Sequence, residues 1–447
     1  MFIQQSRLIV GHAWPMLIAQ LVSMGMPVID TALLGHFGAE DLAAVAVGGG
    51  IYITVMLTLS GIVQAVSPIV AHLKGAGRDD DELAEVLRQG FWLALALSIP
   101  GVLFLVCPGP LLNLSALDPG VDIKARSYLA ALAWELPAAL LYRAFYAFSI
   151  AIGQPRPLMI ISLICTLIHA LLASALVTGA WGGAALGVLG CGISNALIGW
   201  LALTVGMAHM RTSERLRGYN LSRRWGWPRA RTQMALLRLG VPMGLSSFIE
   251  VSAFTFIALC VAQLGTSVVA GHRVVANLAG VCYMLPLSLA LATLPCVGQA
   301  VGARDWKRAR VSALAGLTIA SAVSVPFAVA LWFGRTALVD AYTDDPAVRG
   351  VCLSLIVYLA ANQLVDAVQT VAAHALRGYK ITFAPMLVHV TAFWGVGLFG
   401  GWWLAFRAPQ PMGVAGFWLA MMLSLVFAAI SLVGLLWWAA NSSARRA

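Results

Sequence analysis

Twelve apolar runs, each long enough to cross a bilayer, leave this chain few structures to adopt. They lie near residues 10–34, 43–72, 90–113, 128–152, 158–180, 185–210, 236–262, 268–300, 311–334, 350–376, 383–406 and 412–439. A hydrocarbon core about 30 Å thick is spanned by about 20 helical residues. Backbone groups in lipid must be hydrogen-bonded within the segment or around a closed barrel. The runs are continuous and lack the ten-residue alternation of barrel strands, so helices are expected. Of 447 residues, 60% are hydrophobic and only 10% charged, whereas a soluble domain carries about 25% charge. The expected fold class is all-α: a polytopic membrane protein of twelve transmembrane helices. The first run is as long as a full span and has no small-residue cleavage pattern, so it is expected to be retained.

The net charge of +10 sits mainly in short loops between apolar runs. That is a topology signal and not a nucleic-acid footprint, so no nucleic-acid partner is expected. The richest loop, residues 211–235, carries Arg211, Arg215, Arg217, Arg223, Arg224, Arg229 and Arg231. It shares one side with the loops after the second, fourth, eighth and tenth runs. By the positive-inside rule both termini are cytoplasmic, as an even number of spans also requires. The seven cysteines are scattered, odd in number and form no CxxC, so neither a disulfide framework nor a zinc site is indicated.

The two halves repeat. At an offset of 227, Pro15 falls on Pro242, Met16 on Met243, Gly38 on Gly265, Pro68 on Pro295 and Gly75 on Gly302. Tyr128-Leu-Ala-Ala returns as Tyr358-Leu-Ala-Ala at 230. Six spans per half is even, so the repeats run the same way across the membrane, related by a pseudo-two-fold axis along its normal. The expected organisation is an N-terminal six-helix lobe over 1–210, an Arg-rich cytoplasmic linker over 211–235 and a C-terminal six-helix lobe over 236–447.

Three carboxylates interrupt the apolar runs: Asp30, Glu250 and Asp366. An ionised acid at mid-membrane costs roughly 2.5–3.5 kcal/mol on insertion scales, and such residues face an interior or an ion path. Three in one chain point to the movement of cations or protons. Asp366 shares a helix face with Asn362, Gln363, Gln369 and Thr370, at i−4, i−3, i+3 and i+4. A stripe so polar lines a cavity or locks onto another helix. Glu250 shares a face with Ser246 and Ser247, and a pairing with Arg273 is the structural alternative. Pro27, three residues before Asp30, cannot donate to the Ser23 carbonyl, so a bend is expected beside the acid. His169 reads as the sole histidine deep in a span, a structural hydrogen-bonder or, the more so if Asp30 is its neighbour, a proton carrier. Glu135 and Arg143 read as structural, and the run Asp79–Glu82 as the start of the next helix. Met24, Met26, Phe254, Phe256, Tyr283 and Met284 are candidate walls for a flat cation. No nucleophile elbow, Walker-type loop, HExxH or dinucleotide fingerprint is present, so no enzyme is indicated. Without a nucleotide site, the driving force must be a gradient.

Three segments resemble the MATE (multidrug and toxic-compound extrusion) family, in its NorM-like branch: PMLIAQLVSMGMPVIDTALLG (15–35), RLGVPMGLSSFIEVSAFTFIALCVAQLGTSVVAGHRVVAN (238–277) and VDAVQTVAAHALRGYK (365–380). The resemblance extends over all twelve spans. It implies two pseudo-symmetric six-helix lobes around a cleft and cation-coupled export of lipophilic, mostly cationic drugs by alternating access. Its functional acids fall on Asp30, Glu250 and Asp366. NorM-like asparagines beside the first acid are replaced by His169 and Ala173, a threonine by Asn195 and a tyrosine by Asn362. These departures favour H+ at Asp30 and His169. Glu250 and Asp366 suit H+ or Na+, with no certain metal site and no cofactor beyond the coupling ion. The expected setting is a bacterial inner membrane, with lipid and small cationic drugs as partners and a monomeric protein. The rival is a lipid-linked oligosaccharide flippase of the same broad architecture, whose cleft should be cationic to hold pyrophosphate.

Overall fold

The structure is a computed structural model, and it describes residues 1–112, 117–180, 182–214, 216–219 and 226–445. Arg215, Arg223 and Arg224 of the basic loop lie outside the described residues. The helices run in chain order as α1 (Phe2–Phe37), α2 (Ala39–Val63), α3 (Val66–Gly75), α4 (Asp80–Val106), α5 (Gly109–Leu112), α6 (Pro119–Ala151), α7 (Arg156–Thr178) and α8 (Val188–Thr212). They continue as α9 (Ala230–Val261), α10 (Thr266–Gly302), α11 (Trp306–Asp340), α12 (Pro346–Gly378), α13 (Phe383–His389), a π-helical stretch Val390–Phe399, α14 (Gly400–Phe406) and α15 (Val414–Arg445).

Among the described residues, eleven helices are long and apolar enough to cross a membrane. The twelfth span of the fold is α6, whose 33 residues include Asp122, Lys124, Arg126, Glu135 and Arg143. Those charges lower its apolar character without shortening it. Caps fix several starts. Asp118 accepts from the Gly120 N–H at 3.0 Å before α6, and Asp305 from the Arg308 N–H at 2.9 Å before α11. Asp345 accepts from the Ala347 and Val348 N–H groups at 2.8 and 3.3 Å before α12. These satisfy donors that a helix leaves open at its N-terminus. Asp79 holds the N-cap position of α4, with Asp80, Asp81 and Glu82 in its first turn. Gly179, at φ 71°, closes α7 in the left-handed region.

α1 continues through Pro27 as one helix, with the Thr31 hydroxyl donating to the Pro27 carbonyl at 2.7 Å. In the eleventh span the chain widens to π geometry over Val390–Phe399. There Trp394 Nε1 donates to the Ile249 carbonyl at 3.2 Å and to Ser252 Oγ at 3.1 Å.

By internal contacts the chain forms two compact units, Ile18–Gly244 and Met1–Leu17 with Leu245–Ala447. In the first, α6 packs against α2, α4 and α8. Leu34, Ala44, Leu132, Val177 and Val188 form part of its core. The first half of α9 crosses α2 at backbone contact: a Cβ on Gly240 would meet the Ile62 carbonyl oxygen at 2.3 Å, and one on Gly244 the Thr58 carbonyl oxygen at 2.6 Å. The segment leading into α9 is fastened to α4, where buried Gln89 accepts from the Arg229 N–H at 2.8 Å and donates to the Trp227 carbonyl at 3.2 Å. In the second unit α12 is central, packing against α10, α11 and α15. There Ser312 of α11 bonds Gln5 of α1 at 3.0 Å.

Candidate functional site

Each unit sets its acids in a different chemistry. In the first, Asp30 of α1 is only 4% exposed. Its Oδ1 accepts from His169 Nε2 of α7 at 2.8 Å, and its Oδ2 from Asn195 Nδ2 of α8 at 3.0 Å. The other ring nitrogen, His169 Nδ1, lies 3.0 Å from Ser194 Oγ. Because Nε2 serves the carboxylate, a neutral imidazole accepts the Ser194 O–H at Nδ1, and a protonated one donates to the Ser194 oxygen. The hydroxyl can rotate to suit either state. His169 and Ser194 are fully buried. Both Asp30 oxygens thus face N–H donors and not a shell of hard oxygen ligands.

In the second unit a cavity of about 320 Å³ is lined by Glu250 of α9, His272 and Tyr283 of α10, and Asn362, Gln363 and Asp366 of α12. Phe254, Phe393, Phe417 and Trp418 supply aromatic wall. Asp366 Oδ1 accepts from Gln369 Nε2 at 3.0 Å, and the same amide donates to Thr370 Oγ1 at 3.0 Å. Neither Glu250 nor Asp366 has a basic nitrogen within ion-pair distance among the described residues. Arg273 is exposed and is not the partner of Glu250. The basic group whose field reaches Glu250 is Arg377 of α12, but its guanidinium bonds His374 Nε2 at 3.1 Å. His374 Nδ1 in turn donates to the Thr370 carbonyl at 2.9 Å. Those two partners fix His374 as the neutral Nδ1–H tautomer.

The remaining candidates divide. Phe254 and Tyr283 border the cavity, whereas Phe256 and Met284 do not. Phe256 instead packs edge-on to Trp394, with ring centroids 6.2 Å apart. Met24 and Met26 are partly buried on α1 in the other unit, and Pro27 there is exposed. Ser246 is buried and Ser247 partly so, neither on the cavity. Gln369 and Thr370 stand behind Asp366 and not at the cavity surface. Arg143 does not pair with Glu135, lying over the Tyr146 ring at 5.2 Å.

One expectation is overturned. His169 is not the sole histidine deep in a span: His272, His374 and His389 are also buried on membrane-spanning helices. Each escapes hydropathy because a single imidazole barely lowers the mean of an apolar run. His272 is held by Trp418, whose Nε1 donates to His272 Nδ1 at 3.2 Å. Ser194, Phe393, Phe417 and Trp418 were also missed. Serine one position before Asn195, and aromatics from runs that read as plain spans, carry no local polar signal.

Comparison with known proteins gives a consistent result. The model of the MatE family matches residues 15–175 and again residues 242–403, so its two matches begin at the repeated Pro15 and Pro242. A protein of Aromatoleum aromaticum described as "Probable multidrug resistance protein NorM" is 52% identical over 94% of this chain and 91% of its own length. Another of the same description, from Neisseria meningitidis serogroup B, is 36% identical over 97% of this chain and 94% of its own. Among solved structures, the eukaryotic MATE transporter AtDTX14 superposes with a TM-score of 0.90 at 20% identity, covering 100% of this chain and 99% of that one. The bent form of the Vibrio cholerae MATE transporter VcmN gives 0.87 at 16% identity, covering 99% and 98%. At those identities the likeness is one of fold, the twelve-helix architecture. With the family model matched twice along most of its length and relatives so similar end to end, this chain belongs to the MatE family.

Proposed function

We propose that the chain is a secondary active multidrug efflux antiporter, in which H+ or Na+ moves inward as lipophilic, mostly cationic drugs are exported by alternating access. It is a transporter and not an enzyme, as its family and the names of its relatives indicate. The observation that carries the exchange is that Glu250 and Asp366 line one aromatic-walled cavity, with no basic group in ion-pair contact with either among the described residues. Two neighbouring acids of low solvation cannot both hold a charge cheaply, so the site recruits a cation. A drug cation and a coupling ion then compete for the same oxygens and lower each other's affinity reciprocally. At 100 mV each charge moved inward supplies about 2.3 kcal/mol, roughly a fifty-fold drug gradient.

At Asp30 the His169 and Asn195 donors support H+ as the coupling ion. Glu250 and Asp366 accept H+ or Na+. The acid-lined cavity is the wrong sign for the pyrophosphate of a lipid-linked oligosaccharide. We place the chain in a bacterial inner membrane as a monomer, with both termini cytoplasmic. The test is reconstitution into vesicles with proton and sodium gradients imposed separately, following ethidium. Glu250→Gln and Asp366→Asn should each abolish efflux at normal expression. Full efflux in either variant removes that residue from the mechanism, and strict sodium dependence refutes H+ coupling.

A further inference from the structure

The cavity wall holds two amide side chains, one of them with a buried oxygen that nothing among the described residues satisfies. Asn362 and Gln363 of α12 are 6% and 4% exposed, and both line the cavity. The Asn362 Oδ1 atom is buried with no hydrogen-bond partner, and no hydrogen bond holds the Gln363 amide among the described residues. Two neighbouring N–H donors are already engaged. Trp418 Nε1 is spent on His272 Nδ1, and Gln369 Nε2 on Asp366 Oδ1 and Thr370 Oγ1. Asn362 and Asp366 stand four apart on one helix, which places an amide and a carboxylate one turn apart on the same face. An amide without fixed partners turns by rotation to present either its oxygen or its NH2 group.

A cation that enters this space and expels water meets aromatic faces and, from α12, oxygen acceptors. A cation with N–H groups can give one to Asp366 and another to Asn362. A quaternary cation can satisfy the charge but leaves the amide oxygens unpaired in a water-poor site. That asymmetry is where pockets discriminate most: a site built to hydrogen-bond a group rejects the analogue that lacks it.

We propose that Asn362 and Gln363 make this cavity selective for cations that carry N–H, namely protonated primary or secondary amines and amidinium ions on a flat aromatic body, over quaternary cations of the same skeleton. The inference rests on the exporter reading above and names its cargo class. A volume of about 320 Å³ is at the small end of ligand pockets, so one fused-ring body fills it.

The probes are proflavine and 10-methyl acridine orange, the same acridine cation with every N–H replaced by N–CH3. Binding to the purified full chain is followed by fluorescence, and extrusion in vesicles under imposed gradients. The wild-type protein should bind proflavine about tenfold more tightly, the worth of one hydrogen bond to a charged donor. Asn362→Leu and Gln363→Met should each bring the ratio close to one. Equal binding by the wild-type protein overturns the inference without need of a variant. So does an unchanged ratio in both variants, which would mean that size sets the preference. Extrusion of both dyes with equal affinity sinks the selectivity alone. Extrusion of neither under any gradient sinks the exporter reading and the selectivity with it.

Discussion

Gly240→Ala adds a single methyl group where two helices leave no room for one. The new carbon would sit 2.3 Å from the Ile62 carbonyl oxygen and 3.0 Å from its carbonyl carbon, and both are backbone atoms that no rotamer change can move. Gly244, one turn on, is equally tight against Thr58 and Ile62 of α2, and Gly61 of α2 approaches the Gly244 Cα. Helices in membranes associate through such small-residue contacts, since lipid gives them no hydrophobic drive. Restoring van der Waals distance requires the first half of α9 to move from α2 by about 1 Å, at a cost of about 1–3 kcal/mol. Alanine returns up to about 1 kcal/mol of helix propensity over glycine. With that return in full, the net loss should be up to about 2 kcal/mol. Gly50→Ala on α2 is the control, because its Cβ would meet nothing within 4 Å. The assay is the temperature at which half the protein leaves the monodisperse size-exclusion peak after heating in detergent. Gly240→Ala should fall below wild type, and Gly50→Ala should match or exceed it. If the two variants behave alike, the backbone contact does not hold this crossing together.

His169→Gln keeps an N–H donor for Asp30 but cannot take up a proton. Efflux driven by an imposed proton gradient should fall well below wild type, and full proton-driven efflux would show that His169 takes no part in coupling. Asp41 is buried, pairs with Lys124 Nζ at 2.7 Å and accepts from the Val188 N–H at 3.0 Å, where α8 begins. Asp41→Asn should lower stability by about 1–3 kcal/mol in the same heating assay. Glu40→Gln, which alters the 2.9 Å contact of the same lysine with an exposed acid, should cost less than about 1 kcal/mol. Equal losses in the two would refute the role given to burial.

The spans were legible because bilayer thickness imposes a length that loops cannot imitate, and each apolar run overlaps one or more of the described helices. α6 shows the limit of composition: its span was read from Tyr128 onward, while five charged residues along the helix dilute its hydropathy. Asp30 and His169 were readable as partners only through the family resemblance, since they are 139 residues apart and no periodicity links them. The α12 stripe was readable from helical spacing alone, because i±3 and i±4 positions must share a face. The aromatic wall was not. Phe393, Phe417 and Trp418 come from spans with no local polar landmark, and only tertiary packing shows which side of each helix is inward. The π-helical turn beyond His389 had no signal either, since glycines in an apolar run are as common in ordinary spans.

The two compact units meet inside helices and not at loops: Leu17 and Ile18 divide α1, and Gly244 and Leu245 divide α9. Each break comes two residues after a repeated proline, Pro15 in one case and Pro242 in the other. The order of synthesis acquires a constraint from this. While the ribosome is still making α8, the earlier compact unit lacks the opening half of α9 that completes it. Residues 1–17, Gln5 among them, must wait for Ser312 and its neighbours, some three hundred residues later. Each compact unit therefore draws on chain made at widely separated times, so its last contacts close only late in synthesis.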